Sequence, residues 1–397
     1  MQNVKKDLLD AENNKIIDFL NKQIFTLALA LWITINTLHS TLWQFSIIEN
    51  NFNTLKIICL VLLILKEIVT LRHDTPYFSI FLICVLAFAI TYNSKDISIV
   101  ILAAFIIEAR NIEFSKIAEV SILINICILI VTIYASQHGL LENRIFAKND
   151  GTPRYGLGFM YTTYPSQLLF FSTAAWVSIR NKSIKIWELL ALLLANIYIY
   201  SETKTANPLI CVVLLLILVF FAKIDKNFYN NSFVKFMGNN IFFICAAIIF
   251  SATILYSNVA WLKEVDQLVS NRLRLGNTGL TEYGISIFGK NVVLSGSEYG
   301  LLTVLQTKYN YIDSSYIQIA VKYGIIVIAY LLIGFRQVQK KLLSNNDIYS
   351  YISCIAVACQ AMLDPQLIML QYNPFILLLG VLIVRKGQKK DDMLYSN

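Results

Sequence analysis

An all-α polytopic membrane protein with about twelve transmembrane helices is the fold class this sequence predicts. Three features of the chain say so. Of its 397 residues, 57% are hydrophobic and only 15% charged, whereas a soluble domain carries about a quarter charged residues. Mean hydropathy is +0.61. Apolar runs of spanning length, about 17–25 residues for a hydrocarbon core roughly 30 Å thick, recur along the whole chain.

These runs place spans at 24–43, 55–71, 77–93, 97–109, 117–136, 157–179, 184–201, 207–222, 241–258, 313–335, 348–364 and 373–384. With the amino terminus inside, the inner segments hold Lys5, Lys6, Lys15 and Lys22, then Lys66 and Arg72, then Arg110 and Lys116. Further along they hold Arg180, Lys182 and Lys185, then Lys223, Lys226 and Lys235. Arg336, Lys340 and Lys341 follow, and Arg385, Lys386, Lys389 and Lys390 close the series. The short outer segments carry few cations, and 365–372 carries none. That alternation satisfies the positive-inside rule and puts both termini in the cytoplasm. The net charge of +8 follows from this placement and implies no nucleic-acid partner.

A polar leader, 1–23, precedes the first span, and no small-x-small cleavage site follows it, so it is not expected to be a removed signal. Val4, Leu8, Leu9, Ile16, Phe19 and Leu20 suit a short amphipathic helix on the inner surface, with a disordered tail as the alternative. The multi-pass domain runs over 24–384, and 385–397 forms a basic cytoplasmic tail. All seven cysteines fall inside apolar runs, none with CxxC spacing. Neither a disulfide framework nor a metal site is read from them. His39, His73 and His138 are scattered and form no ligand cluster.

Three outer segments break the pattern of small, weakly charged loops. The segment 137–156 holds Arg144, Lys148, Asp150 and Arg154, and the stretch SETKTANP puts Glu202 and Lys204 at the end of the seventh span. The long loop 259–312 carries Arg272, Arg274, Glu282 and Glu298 among its charges, with Asp313 at the mouth of the next span. Its frequent glycines, interleaved with Tyr and Phe, suggest a folded, turn-rich element. Cations held outside suit a phosphate or pyrophosphate, since guanidinium pairs bidentately with phosphate oxygens. Solvation in a long loop, which is exempt from the charge bias, is the alternative. Tyr161 to Gln167 give the sixth span a polar start, and Pro165 there suggests a kinked or broken helix lining a cavity. Packing between helices would account for the same residues. Glu108, Glu188 and Asp364 lie near span ends and are expected at the interface.

The stretches RYGLGFMYTTYPSQ, SETKTANP, NRLRLGNTGLTEYGISIFGKNV and DSSYIQIAVKYGIIVIAYLL resemble, in order, landmarks of the bacterial Wzy-type oligosaccharide repeat-unit polymerases. Those enzymes assemble O-antigen and capsule and are related to the WaaL O-antigen ligases. The resemblance covers roughly 150–335 and implies a GT-C-like glycosyltransferase architecture. Arg154 falls on the family's arginine before a proline-containing span, with Pro165 on its proline. Lys204 falls where an arginine is usual, keeping charge but losing the fork. Arg272 falls on the arginine opening the long loop, with Asn271 replacing glycine. Asp313 falls on a His or Asp, with Ser314 replacing Asn and Tyr316 retained.

The implied reaction has a growing glycan on undecaprenyl pyrophosphate as donor and one lipid-linked repeat unit as acceptor. It takes place at the outer face of the bacterial cytoplasmic membrane. The acceptor hydroxyl attacks the donor's anomeric carbon and lipid pyrophosphate departs. Cations are needed where negative charge accumulates, and Arg154, Arg272, Lys204 and Arg274 are the candidates. No outer Asp-x-Asp pair offers a magnesium site, so no metal or other cofactor is expected and the arginines do that work. Asp313 is the candidate base, or else it or Ser314 caps the tenth span. Tyr316, Tyr164, Glu298 and Glu282 are candidate glycan contacts, although interfacial tyrosines also serve as membrane anchors. Membrane lipid, a chain-length regulator and a flippase are the implied partners. Two rivals stay open: an O-antigen ligase, which typically carries His where Asp313 stands, and a lipid-linked oligosaccharide flippase or transporter, against which no internal repeat is evident.

Overall fold

A computed structural model describes residues 2–47, 52–70, 76–147, 151–225, 228–296 and 310–383. The chain is mostly helical. Helix α1 spans Gln2–His39, α2 Phe52–Thr70, α3 Tyr77–Ser94, α4 Ser98–Glu108 and α5 Phe114–Gln137. A hairpin of β1, Ile145–Ala147, and β2, Pro153–Tyr155, follows. Then come α6 Thr163–Arg180, α7 Ile186–Thr203, α8 Ala206–Ile224, α9 Ser232–Asn239 and α10 Ile241–Leu255. The long loop contributes α11 Ala260–Leu268 and α12 Arg272–Tyr283, and the last third α13 Ser315–Lys322, α14 Ile325–Ser344 and α15 Ile348–Gln360. The remaining basic tail lies outside the described residues.

Side-chain exposure marks this as a membrane protein's fold. One face of α3 exposes Phe78, Phe81, Leu82, Val85 and Phe88, and α8 exposes Ile210, Ile217 and Phe220. Apolar surface of that extent suits lipid and not water. Inside, α6 and α15 are buried almost throughout. Lipid supplies no hydrophobic drive between helices, so close backbone approach and polar bonds must hold them. Ala174, Ala175 and Ser178 on α6 face the small residues of α15, and the Ser353 hydroxyl donates to the Ala174 carbonyl at 2.9 Å. Gln360 donates to Gln167 at 2.5 Å.

The all-α class is seen, with fewer self-sufficient crossings than the roughly twelve spans expected. Among the described residues, three helices are long and apolar enough to cross a membrane alone: α3, α5 and α8. The α9–α10 pair passes the same test jointly but is bent by 62° at the break between them. The leader and first expected span are one continuous helix, α1. The expected span 97–109 is an 11-residue α-helix followed by a 3-10 turn, Ala109–Asn111. The expected span 373–384 is a nine-residue 3-10 run, Pro374–Leu382, about 18 Å long at roughly 2 Å per residue. Pro165 does not break α6. It sits in the first turn, where its missing N–H has no intrahelical partner to lose.

The tenth expected span is broken into α13 and α14 at Tyr323–Gly324. Gly324 has φ +90°, and a Cβ there would sit 2.5 Å from the Ile287 carbonyl oxygen, so only glycine fits. The long loop is threaded against this break. Ile325 N–H donates to Ser286 O at 2.9 Å and Lys290 N–H to Lys322 O at 3.1 Å. Irregular backbone at such depth is tolerated where protein buries it or a cavity borders it.

Contacts draw two groups of loop residues together. At one end Met160 N–H donates to Ser40 O at 3.0 Å, and Gln137 donates to the Tyr198 hydroxyl at 2.6 Å. At the other end lies a buried charge quartet. Lys66 Nζ meets Glu108 at 2.6 Å, and Arg110 meets Glu67 at 2.6 Å and Glu108 at 3.4 Å. Two cations and two carboxylates balance there. Glu108 is buried within this quartet, and Glu188 is likewise buried, gripped bidentately by Arg180 at 2.9 and 3.0 Å.

Candidate functional site

The turn between α7 and α8, Thr203–Asn207, gathers the sequence landmarks. Lys204 ends α7 in the left-handed conformation, φ +52°, and thereby turns the chain. On one side of the turn, Arg154 on β2 donates from Nε to Thr203 O at 2.9 Å and from Nη2 to Thr205 Oγ1 at 3.1 Å. Its guanidinium also lies 5.7 Å from the centre of the Tyr161 ring. Ser166 and Thr203 share a hydroxyl hydrogen bond of 2.9 Å, so the polar start of α6 is packing against this same turn.

On the other side, Asn207 donates to Asp364 Oδ2 at 2.5 Å. Asp364 Oδ1 lies 3.0 Å from Arg272 Nη2, and Arg272 Nε lies 3.9 Å from Asp313 Oδ2. Arg272 begins α12, which Asp266 holds in place. Its buried carboxylate accepts from Leu273 N–H at 2.8 Å and Arg274 N–H at 3.2 Å. Asn271 just before it takes φ +63°, a conformation that Asn tolerates better than most residues.

Asp313 lies in the coil preceding α13. Burial pushes its carboxyl up to about 6, with Arg272 opposing and Asp364 adding to the rise. The capping alternative is not realised. Ser314 makes no side-chain cap bond, and Ser315 N–H donates to Ala361 O at 3.0 Å. The Ser315 hydroxyl donates to Asp364 O at 2.5 Å, tying Asp364 to α13. One guanidinium thus sits beside two carboxylates from separate segments. A guanidinium carries its N–H donors in a planar fork, the geometry that pairs with carboxylate or phosphate oxygens.

The remaining candidates divide. Arg274 is exposed on α12, and Lys204 makes no side-chain hydrogen bond or ion pair among the described residues. Tyr316 is corrected as a glycan contact. It is fully buried, with its hydroxyl donating to Ala358 O at 2.9 Å, and so serves packing between α13 and α15. Tyr164 is half-buried between Tyr161 and Tyr372, ring centres 6.4 and 6.3 Å away. Glu282 is exposed near the end of α12. Glu298 lies outside the described residues. Arg144 pairs with Glu142 at 3.4 Å. Among the described residues no three His, Cys, Asp or Glu side chains are grouped as a metal's ligands would be.

Asp364 and Asn207 are the residues that sequence reasoning missed. An acid at the end of an otherwise apolar segment was itself the signal, since ionisable groups at membrane depth usually serve function. The fold and site together define a mostly helical membrane protein with an arginine–carboxylate cluster beside a polar turn. No family model matches the chain, and no curated protein or solved structure is significantly similar to it.

Proposed function

We propose that this protein polymerises undecaprenyl-pyrophosphate-linked oligosaccharide repeat units into O-antigen, capsular or exopolysaccharide. It would work at the outer face of the bacterial cytoplasmic membrane, with both termini inside. The proposal includes the GT-C-like architecture, in which the shorter helices and the 3-10 run complete about twelve crossings. The single observation supporting it is that Arg154, Arg272 and Asp313, drawn from three distant stretches, are all linked to the Thr203–Asn207 turn and its partner Asp364.

In this reading Arg272 and Arg154 bind the pyrophosphate of the donor, and Asp364 orients the Arg272 fork. The acceptor hydroxyl oxygen forms a bond to the anomeric carbon as the bond from that carbon to the diphosphate breaks. The diphosphate leaves with the electron pair, its charge met by the guanidinium groups. The hydroxyl proton passes to Asp313, a transfer typically worth about 10²–10⁴-fold in rate.

The test is complementation of a strain lacking the gene, with glycan length read on a gel. Arg272→Ala, inserted at wild-type level, is expected to leave single repeat units only. A normal ladder from that variant would overturn the assignment.

A further inference from the structure

A cavity of about 510 Å³ opens beside the break between α13 and α14, within the roughly 300–1,000 Å³ range of small-molecule sites. It is separate from the Arg272 cluster, yet Tyr311, two residues before Asp313, forms part of its wall. Trp32 and Asn36 of α1 line it, as do Asp96, Gln318, Lys322 and Gln371. The loop residues Asn291 to Leu294 close it from the side of the long loop.

Its charges are already balanced. Asp96 Oδ2 accepts from Lys322 Nζ at 2.6 Å and from the Tyr323 hydroxyl at 2.8 Å, while Oδ1 accepts from Ser98 N–H at 3.0 Å. Burial opposes the ionised form of Asp96, but Lys322, the Tyr323 hydroxyl and the Ser98 N–H together hold the carboxyl well below its ordinary range. With that pair spent on each other, the lining left for a ligand is amides and aromatic rings. It suits the hydroxyls and apolar faces of sugars, which need donors and acceptors at close spacing. The side-chain amides of Asn36 and Gln371 line the same space, and an amide both donates and accepts.

We propose that this cavity is a neutral-saccharide subsite that receives the non-reducing end of the acceptor glycan, with the Asn36 and Gln371 amides meeting its hydroxyls. The proposal rests on the polymerase reading. It adds a division of labour: sugar is held between α1, the Asp96 turn and α13, and diphosphate at the arginines.

The experiment titrates purified protein in lipid nanodiscs with oligosaccharides released by mild acid from the producing cell's undecaprenyl-linked pool, followed by saturation-transfer NMR. Wild type is expected to bind. Gln371→Leu, which keeps the volume and removes the amide, is expected to bind about tenfold more weakly. Asn36→Leu should weaken binding similarly if Gln371→Leu fails to fold. Arg272→Ala should bind as wild type does, and inorganic pyrophosphate should not compete. Absence of binding, full affinity in both cavity variants, or displacement by pyrophosphate would each overturn the subsite. A normal glycan ladder from Arg272→Ala alongside intact, Gln371-dependent binding would instead sink the polymerase reading alone.

Discussion

Arg272 at the start of α12 and Asp364, in the turn that follows α15, meet at 3.0 Å, with the acid's side chain 2% exposed. Asp364 has a second tether in Asn207 and its carbonyl a third in Ser315. Removing one partner of a buried pair strands the other charge, at a cost of about 3–5 kcal/mol. We expect Asp364→Ala to lower the unfolding temperature of the detergent-solubilised protein markedly and to abolish polymer. The double variant Arg272→Met/Asp364→Leu should recover stability and stay inactive. Recovery of both, or of neither, would show that the pair has no role beyond packing, or none that an apolar pair can replace.

Asp313 should give activity and stability opposite pH dependences. Its folded carboxyl titrates at about 6, above the roughly 3.9 of an unfolded aspartate. The fold therefore favours the protonated form, and this contribution is complete below about pH 4 and lost as pH rises through 6. A base must be ionised, so in-vitro polymerisation should fall as pH drops through about 6. Asp313→Asn should abolish both dependences, and a wild-type rate that is flat from pH 5 to 7 would exclude the base role.

Arg154→Lys keeps the charge but cannot reach Thr203 O and Thr205 Oγ1 together. Hydrogen bonds from charged donors are worth about 1.5–3 kcal/mol, so a loss of tenfold or more in polymer yield is expected. Lys204→Arg, which adds a fork where no side-chain bond is lost, should equal or exceed wild type. Unchanged chain length in Arg154→Lys would remove Arg154 from the site.

Gly324→Ala should unfold the region where the long loop meets α14. The substituted Cβ would fall 2.5 Å from Ile287 O at a backbone φ of +90°, so clash and strain coincide. We expect failure to recover monodisperse protein on size-exclusion chromatography, whereas Gly139→Ala, with positive φ but open space around it, should be recovered with only modest loss.

Much of this molecule is legible in its sequence because lipid imposes long apolar helices. Segments such as α5 and α8 announce themselves by length alone. The break at Tyr323–Gly324 is not legible, because isoleucines continue on both sides of it and a tertiary contact with Ile287 creates it. Arg272 and Asp313 stood out as charges beside an apolar stretch. Asp364 was read as interfacial because its partner lies on a distant segment, and no local pattern encodes that distance. Tyr316 shows the converse, since a tyrosine beside an aqueous loop and one wedged between helices read alike until burial is known.

The five residues from Thr203 to Asn207 grip the β-hairpin through Arg154 and the α12 segment through Asp364. They act as a pivot with an arm on each side. Through it the two guanidinium groups share one anchor, so a shift of the Thr203–Asn207 backbone would disturb the bonds of both.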